Sequence, residues 1–454
     1  MLMKHRLMSA AIALALSATG AQAAVSAADA AKLGSTLTPF GAEKAGNADG
    51  SIPAWAGGIT QAPAGYKGSG QHHVDPFPDD KPLFTITKAN LEQYQDHLTP
   101  GQLALFRTYP DSFQMPVYQT RRSASAPQWV YDNTIKNATS AKLADGGNGF
   151  IDAYGGIPFP IPQSGVEALW NHIARYRGTY IVRRASEVAV QRNGSYSLVT
   201  SQQEALFKYY LQNGSFADLN NIMFYYLSFT TSPARLAGGA TLVHETLDQV
   251  KEPRQAWIYN AGQRRVRRAP QVAYDGPGTA SDGMRTTDNF DMFSGAPDRY
   301  DWKLIGKKEL YIPYNSYEIA SSDLKYKDII KAGHVNQDLA RYELHRVWEI
   351  EATLKSGERN IYAKRRFFVD EDSWTIVQSE LYDGRGQLWR VGEAHSLQYY
   401  QHKVPAYAFE ALYDIISGRY IAIGMSNEEK PHEYGYRASA RDFTPAALRN
   451  AGVR

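Results

Sequence analysis

The sequence has 454 residues, no cysteine, 49 Lys and Arg against 46 Asp and Glu, and a formal net charge of +3 at pH 7. The lack of cysteine excludes disulfides, and the near balance of charges excludes a global field that would attract nucleic acid. Its 30 Tyr, 17 Phe and 8 Trp, with 37 Gly and 22 Pro, are typical of many strands separated by turns.

The first 23 residues have the pattern of a secretory signal peptide. Lys4 and Arg6 precede an apolar stretch at 7–19 that is too short to span a bilayer, and Ala21-Gln22-Ala23 resembles a cleavage site. We expect cleavage after Ala23 and a soluble periplasmic protein that is not a lipoprotein, because no cysteine is present to carry a lipid. No later apolar run approaches about 18 residues, so we expect no transmembrane helix.

Residues 24–163 are predicted to form a loop-rich extension with short helices. Pro and Gly interrupt regular structure repeatedly in the first part of this extension, and such a segment is either disordered or wrapped on a larger body. The apolar side chain of Trp55 favours wrapping. A helix is plausible at 87–97, and Thr99-Pro-Gly-Gln102 is a strong start signal for another.

The domain at 164–426 is predicted to begin with one amphipathic helix and to continue as strands. Ser164-Gly-Val-Glu167 has the pattern of a capping box, and Trp170 lies on the apolar face of the helix that follows. Strand patterns with short, turn-like connections then predict about eleven antiparallel strands. The fold class is therefore mainly β with flanking helices. Residues 427–454 are predicted to form a tail with a short helix.

The stretch 255–268 predicts a β-hairpin rich in arginine. Trp257-Ile-Tyr259 suits a half-buried strand, Asn260-Ala-Gly262 supplies the turn, and the returning strand carries the arginines. The segment at 275–301 is rich in Asp, and we expect these arginines to pair with it as a structural ladder, unless they are solvated. The alternative is that they contact an anionic ligand headgroup or a partner protein. The candidates for that contact are Arg265, Arg267 and Arg268.

Apolar residues at alternating strand positions are candidates for the wall of a lipid-sized cavity. Alternation places Trp348 and Ile350 on one face of the strand at 342–354, and Trp389 and Val391 on one face of a later strand. The simpler interpretation of such residues is the wall of an ordinary core. The cavity candidates are Trp170, Trp257, Trp348, Ile350, Trp389 and Val391.

The sequence contains no motif that commits it to catalysis. It has no Gly-x-Ser-x-Gly elbow, no His-Glu-x-x-His and no Walker loop. His72-His73-x-Asp75 offers metal ligands, but adjacent histidines in a Pro-rich loop are usually solvated, and the segment at 145–152 predicts a turn rather than a calcium loop. Glu349 and Glu351 share a strand face, yet such pairs usually face water. We therefore expect no enzyme activity, no cofactor and no metal site.

Several of these segments resemble an uncharacterised family of exported proteobacterial proteins, a domain of unknown function that is outer-membrane lipoprotein-sorting-like. They are the helix from Ser164, the hairpin at 257–268 and Asp298-Arg-Tyr-Asp-Trp-Lys-Leu304. The family is related to the LolA/LolB lipoprotein carriers, and this second link covers only the part after about residue 164. The resemblance implies a large antiparallel open half-barrel around a hydrophobic cavity, with helices as its lid.

Three functions remain open. The resemblance and the aromatic interior favour a periplasmic binding or shuttle protein for a hydrophobic or lipid-like molecule, working with an inner-membrane or outer-membrane transport protein. The alternative is a structural or adaptor subunit of an outer-membrane export complex, in which residues 24–163 fill the cavity and the arginine hairpin meets a partner. An enzyme is the third.

Overall fold

The computed structural model describes residues 25–68, 70–269, 272–435 and 438–451. The predicted signal peptide at 1–23 lies outside the described residues. Across these described ranges, no helix combines the length and the apolar character needed to cross a bilayer.

Strands and short helices alternate through the N-terminal third of the chain, and strands dominate the rest. The strands are β1 Phe84–Ile86, β2 Met115–Val117, β3 Lys142–Leu143, β4 Phe150–Ile151, β5 Tyr180–Val190, β6 Tyr196–Phe207, β7 Ile222–Ser232, β8 Ala240–Thr246, β9 Gln255–Asn260, β10 Arg265–Arg268, β11 Tyr300–Pro313, β12 Tyr342–Leu354, β13 Lys364–Asp370, β14 Ile376–Tyr382, β15 Leu388–Tyr399, β16 Val404–Asp414, β17 Arg419–Met425 and β18 Glu433–Tyr434. The helices are α1 Ala27–Ala30, α2 Pro100–Thr108, α3 Gln128–Ser140, α4 Gly165–Ile173, α5 Tyr326–Ile329 and α6 Pro445–Ala451.

The long strands of the main sheet are antiparallel, the short β2 pairs in parallel with β12, and the sheet is open. Its long strands follow the order β11-β12-β13-β14-β15-β16-β17-β5-β6-β7-β8-β9-β10. The two edge strands, β10 and β11, share no ladder in the described part of the chain, so the sheet does not close into a barrel. The expected mainly β, open antiparallel fold is confirmed.

The start signal of α2 acts as predicted, and that of α4 does so in part. In α2, Thr99 Oγ1 accepts from the N–H of Gln102 at 3.1 Å, and the Gln102 side chain accepts from the N–H of Thr99 at 3.0 Å, which completes the capping box. In α4, Ser164 Oγ accepts from the N–H of Glu167, but the Glu167 carboxylate accepts from the N–H of Gln163 at 2.5 Å, so the predicted capping box is only half formed. The predicted helix at 87–97 is wrong, because the chain forms only two short 3-10 turns there.

The extension packs onto the sheet and is not a separate body. Helix α2 lies over β14 and β15, where the N–H of Gly101 donates to Glu380 at 2.7 Å. Arg122 forms a buried ion pair with Asp372 at 2.7 Å. Ile52 is only 1% exposed. The expected wrapping of the extension on the β domain is confirmed by these contacts.

Residues 272–299, which we call the strap, run between the two edges of the sheet. Because β10 and β11 lie at opposite edges, the chain between them has to cross one sheet face. The strap does so on the face opposite α2, where Met284 packs on Leu381, Leu412 and Ile421. Its polar contacts mark the route across the strands: Arg285 with Glu187, Asp282 with Arg419, the Met292 N–H with Glu410, and Asp288 with Arg365.

Strand β12 is covered on both faces, which overturns one expectation. Glu349 is 1% exposed and pairs with Lys308 at 2.8 Å, and Glu351 pairs with Arg366 at 2.9 Å. These carboxylates were expected to face water. The two strands that flank β12 supply the cations for these buried or half-buried carboxylates: Lys308 from β11 and Arg366 from β13.

Candidate ligand-binding cavities

A cavity that is partly open to solvent lies where β17 ends; its empty space is about 800 Å³ when the open solvent at its mouth is included. The ladder between β17 and β5 runs only from Tyr420 opposite Val190 to Met425 opposite Ser186. The first residues of both β5 and β16 extend beyond it, and the short β18 pairs with β5 there at Ile181 and Val182. The sheet therefore separates at this point and leaves a cleft, which we call cavity 1, against the strap.

A second cavity, also partly open, lies between strands β5–β8 and the strap; its empty space is about 930 Å³ when the open solvent at its mouth is included. We call it cavity 2. Four residues line both cavities: Phe224, Tyr226, Phe290 and Ser294. Phe290 and Ser294 belong to the strap, so the strap is a common wall of both spaces. No described residue of the extension at 25–163 is among the lining of either cavity.

Cavity 1 contains two arginines that share one carboxylate. Arg175 Nη1 donates to Asp291 Oδ2 at 2.9 Å, and Arg177 Nη1 donates to the same oxygen at 2.6 Å. Burial raises the pKa of Asp291, but the charges of the two guanidinium groups outweigh it and hold that pKa well below its usual range. Asp291 is therefore ionised, and this site carries two positive charges against one negative charge.

Glu410 adds no negative charge to cavity 1 at neutral pH. Its carboxyl accepts from the N–H of Met292 at 2.7 Å. Burial, followed by the charge of Asp291, raises the pKa of Glu410 to about 8. Glu410 is consequently protonated at pH 7, and it cannot balance the arginines around it.

Arg183 projects from β5 into the same cavity without an acidic partner. Its Nε donates to Gln203 Oε1 at 2.7 Å, and within the described ranges no carboxylate lies in ion-pairing distance of its guanidinium group. The neighbouring Arg184 donates to Gln202 at 2.9 Å, and it does not line cavity 1. Strand alternation explains the difference, since adjacent residues point to opposite faces.

His432 lines cavity 1 and has a ring N–H that is unpaired among the described residues. Tyr399 Oη lies 2.7 Å from His432 Nδ1, and the phenol is the stronger proton donor of the two, so Nδ1 accepts. Burial lowers the pKa of His432 to about 3, and the charge of Arg183 adds to the shift, so the ring is neutral and carries its proton on Nε2. That atom is buried and has no hydrogen-bond partner among the described residues.

The arginines of cavity 2 are balanced. Arg254 pairs with Glu245 at 2.6 Å, and Arg285 pairs with Glu187 at 3.1 Å. Each of these four side chains lines the cavity. The excess positive charge therefore belongs to cavity 1 alone.

The six cavity candidates from the sequence line neither cavity. Three of them are buried in the main core: Trp170, Ile350 and Val391. The indole N–H of Trp170 donates to the carbonyl of Gly147 at 2.9 Å. Trp348 stacks on Trp374 with ring centroids 6.3 Å apart, and Trp257 lies against His244 at 4.7 Å. The structure thus gives these residues packing roles away from cavities 1 and 2.

Trp389 and Val391 do not share a face, contrary to the alternation argument. Trp389 packs with Tyr362 on the strap side and donates to Asp414 at 2.8 Å, whereas Val391 lies under Gly101 of α2. The ladder between β14 and β15 is irregular next to Tyr382. Such an irregularity turns the side chains that follow it, and simple alternation does not anticipate this.

The arginine hairpin does not pair with the acidic segment, and this expectation is wrong. Arg265, Arg267 and Arg268 are exposed, and in the part of the chain that the structure describes no ion pair joins them to residues 275–301. The strap crosses the sheet, and its acids pair there with other arginines. Positive side chains on an edge strand discourage pairing with other sheets. Contact of these arginines with an anion or a partner stays a prediction.

The metal candidates of the sequence have other partners. His73, expected to be solvated, is half-buried, stacks on Tyr66 and lies 2.6 Å from Gln401. The segment from Asp145 forms the predicted turn. A buried group that sequence reasoning missed brings His345, Asp370 and Asp372 within 4.8 Å of one another. Because Asp372 is held by Arg122, this group is an ionic network that fixes the extension to the sheet.

Sequence reasoning also missed the residues that give cavity 1 its charge. Arg175-Tyr-Arg177 follows the predicted helix, and Arg183-Arg184 interrupts an apolar strand pattern. Consecutive arginines within such a strand are the signal that was available, because one of the two must face the covered side of the sheet. Asp291 was noted only as one acid among several in the strap.

Comparison with known proteins gives one family and one strong relative. The model of a family described as "Protein of unknown function (DUF1329)" matches residues 85–449. An uncharacterized protein of Pseudomonas aeruginosa is 59% identical over 444 residues, which is 98% of this chain and 97% of the relative. These matches confirm the family resemblance inferred from the sequence motifs.

Three solved structures are similar to this chain over about three fifths of its length. They are a putative outer membrane lipoprotein-sorting protein domain from Vibrio parahaemolyticus (TM-score 0.43, 16% identity, 63% of this chain and 98% of that chain), a DUF1329 family protein from Desulfovibrio piger (0.41, 15%, 60% and 92%), and a LolA superfamily protein from Nitrosomonas europaea (0.37, 13%, 62% and 98%).

Proposed function

We propose that this chain, which belongs to the DUF1329 family, binds an elongated apolar molecule in cavities 1 and 2 and carries it through the periplasm without changing it chemically. The observation that carries this proposal is a pair of adjoining cavities under a single strap that share an aromatic wall.

The lining of the two cavities supports an apolar ligand. Aromatic rings form much of the wall, and they are continuous where the cavities meet, at Phe224, Tyr226 and Phe290. Aromatic and aliphatic lining with a few polar groups is the usual composition of a small-molecule site. A long, flexible chain fits two adjoining spaces of this kind better than a compact polar molecule does.

The position of the extension also supports a free cavity. Helix α2 covers the face of the sheet opposite the strap. Other parts of the extension pack against α4, which itself contacts the strap: Phe150 lies 5.8 Å from Trp170, and His172 lies 2.9 Å from the carbonyl of Asp291. Cavities 1 and 2 are nevertheless lined by residues from Arg175 onward. In the adaptor alternative, residues 24–163 would occupy the binding space. The described contacts of the extension favour binding over that alternative.

Binding without catalysis is proposed from the state of the carboxylates. Asp291, Glu187 and Glu245 are each engaged by arginine. Groups engaged in this way fix the strap and orient a ligand, and they are poorly suited to moving protons on and off a substrate.

The test is a titration of the purified protein with the neutral apolar dye N-phenyl-1-naphthylamine, together with mass spectrometry of extracted lipid. We expect a saturable rise in fluorescence. Ser228→Phe, which fills part of cavity 2, and Ala406→Phe, which fills part of cavity 1, should weaken binding, because both positions line the cavities and are half-buried. Thr231→Phe, at an exposed position of the same strand as Ser228, is the control.

Three results would contradict the proposal. The first is a wild-type protein that neither binds the dye nor releases lipid. The second is a control variant that loses binding as strongly as the two cavity variants. The third is full binding by both cavity variants, which would place the dye elsewhere.

The adaptor function retains one supporting observation. The exposed arginines of β10 lie on an edge strand, where a partner with acidic side chains has access to them. Replacing all three with Ser should abolish cross-linking to an envelope partner if this function is correct, and it should leave dye binding unchanged.

A further inference from the structure

We infer that the ligand is an anionic amphiphile, whose acidic headgroup binds in cavity 1 between Arg183 and His432 and whose apolar chain continues past Phe290 into cavity 2. This inference rests on the proposed function and deepens it, because it names the chemical class of the ligand and its direction in the site.

The charge of cavity 1 is the first argument. Three guanidinium groups line it, from Arg175, Arg177 and Arg183; Asp291 pairs with the first two, and the other acid of the lining, Glu204, forms no ion pair with any of the three among the described residues. Glu410 is protonated at neutral pH. Unbalanced charge in a partly desolvated space is unfavourable, and an anion that enters it gains strong charge-assisted hydrogen bonds.

Glu204 also lines cavity 1. Its carboxylate accepts from Tyr180 Oη at 2.9 Å and from Gln202 Nε2 at 3.1 Å. The neighbouring Gln203 holds Arg183. Within the described residues Arg183 therefore has no carboxylate in direct contact, although Glu204 contributes one negative charge to the same cavity.

Unused donors are the second argument. Among the described residues Arg183 bonds only through Nε, to Gln203, which leaves both of its Nη groups available for the two oxygens of a carboxylate or phosphate in the planar geometry that arginine favours. The Nε2–H of His432 is buried and unpaired among the described residues. Both groups line cavity 1, so a single headgroup there can accept from both.

The contrast with cavity 2 indicates which cavity holds the headgroup and which holds the apolar chain. The two arginines of cavity 2 are already paired with carboxylates, and its wall includes Val199, Val243 and Val272. An acidic headgroup gains nothing there, whereas an alkyl chain gains the hydrophobic contact. The headgroup therefore lies in cavity 1 and the chain in cavity 2.

The experiment compares three probes with the same chain: palmitic acid, methyl palmitate and hexadecyl phosphate. Each displaces N-phenyl-1-naphthylamine from the full mature protein at pH 7. We expect the two anions to bind at least about tenfold more tightly than the ester, a difference of about 1.4 kcal/mol. A preference between the acid and the phosphate identifies which kind of headgroup the site takes.

The matched variants are Arg183→Gln and Arg184→Gln. Both residues lie on β5 and both donate to a glutamine of β6, but only Arg183 lines cavity 1. Arg183→Gln should bring the acid and the ester to similar affinity and leave the ester unchanged. Arg184→Gln should behave as the wild type does.

The possible failures are distinguishable. Equal binding of acid and ester by the wild type overturns the inference and leaves the proposed function intact. The same loss of preference in both variants also overturns it, since the effect would then be a general one of charge. No binding of any probe or of the dye overturns the proposed function itself, and the inference with it.

Discussion

Asp291 accepts from Arg175 through both of its carboxylate oxygens, and this bidentate pair fastens the strap to the segment that follows α4. The same carboxylate also binds Arg177, so one acid on the strap holds two cations of the cavity wall. The position of the strap, and with it the shape of both cavities, depends on this contact.

Asp291→Asn should destabilise the protein by about 3–5 kcal/mol, because it leaves two largely buried guanidinium groups without a counter-charge. Asp282→Asn is the control, since Asp282 lies on the same strap but forms an exposed pair with Arg419, and its cost should stay under about 1 kcal/mol. Urea unfolding of the two variants measures the difference. Equal losses would contradict the buried pair.

Glu410 should make stability depend on pH. Its pKa is raised from 4.5 to about 8 in the folded protein, so the folded state binds more protons and this group's contribution to stability falls as pH rises from about 4.5 toward 8. The groups that face it are Asp291, which raises the pKa, and Arg175 and Arg183, which oppose the rise.

Glu410→Gln removes this dependence. Relative to the wild type, the variant should gain more than about 1 kcal/mol of stability between pH 5 and pH 8. Asp370 and Glu393, whose pKa values are raised to about 7 mainly by burial, titrate in both proteins and cancel in the comparison. A stability difference that stays constant with pH would show that Glu410 has an ordinary pKa.

Ligand affinity should also depend on the ionisation of Glu410. Above about pH 8 the ionised Glu410 adds a negative charge to cavity 1, so the affinity for palmitic acid should fall between pH 7 and pH 9 by several-fold, while that for methyl palmitate stays level. In Glu410→Gln the affinity for the acid should not change over this range. Displacement titrations at the two pH values provide the measurement.

Buried and exposed arginines should differ in their contribution to stability. Arg365 is fully buried and donates to Asp288 at 2.6 Å, so Arg365→Ala should cost about 3–5 kcal/mol. Arg267→Ala, in the exposed hairpin, should change stability by no more than about 0.5 kcal/mol. Thermal unfolding decides between them, and a large loss for Arg267 would restore the paired ladder expected from the sequence.

Phe290 should control the chain length that the site accepts. It lies on the strap, lines both cavities and packs on Tyr226 at 5.8 Å. Phe290→Ala widens the passage between the two spaces, so the optimum in a series of acids from decanoate to eicosanoate should move to longer chains. Phe216→Ala, a half-buried ring that lines neither cavity, should leave the optimum where it is.

The local parts of the fold could be read from the sequence because local chemistry decides them. The bounds of β12 agree with the predicted strand at 342–354, since strand propensity acts over a few positions. The capping box at Thr99 is of the same kind. Family membership followed from the same short motifs.

The cavities could not be read in this way, because they depend on which distant segments meet. The sequence does not say that β10 and β11 lie at opposite edges, and so it does not say that the strap crosses the sheet and separates its acids from Arg265, Arg267 and Arg268. Nor does it say that β17 stops at Met425 and opens the cleft. The candidates Trp348 and Val391 were apolar and alternating, yet the segments that cover them decided that they are core.

The sequence by itself therefore determined the mainly β character, the start of α2 and α4 and the family, all of which rest on neighbours along the chain. Only the tertiary structure decided that Arg183 faces a cavity while Arg184 does not, and that Asp291 serves two arginines from over a hundred residues away. The physical reason is that burial and charge balance depend on all the residues that surround a side chain in the folded protein, and those residues are far apart in the sequence.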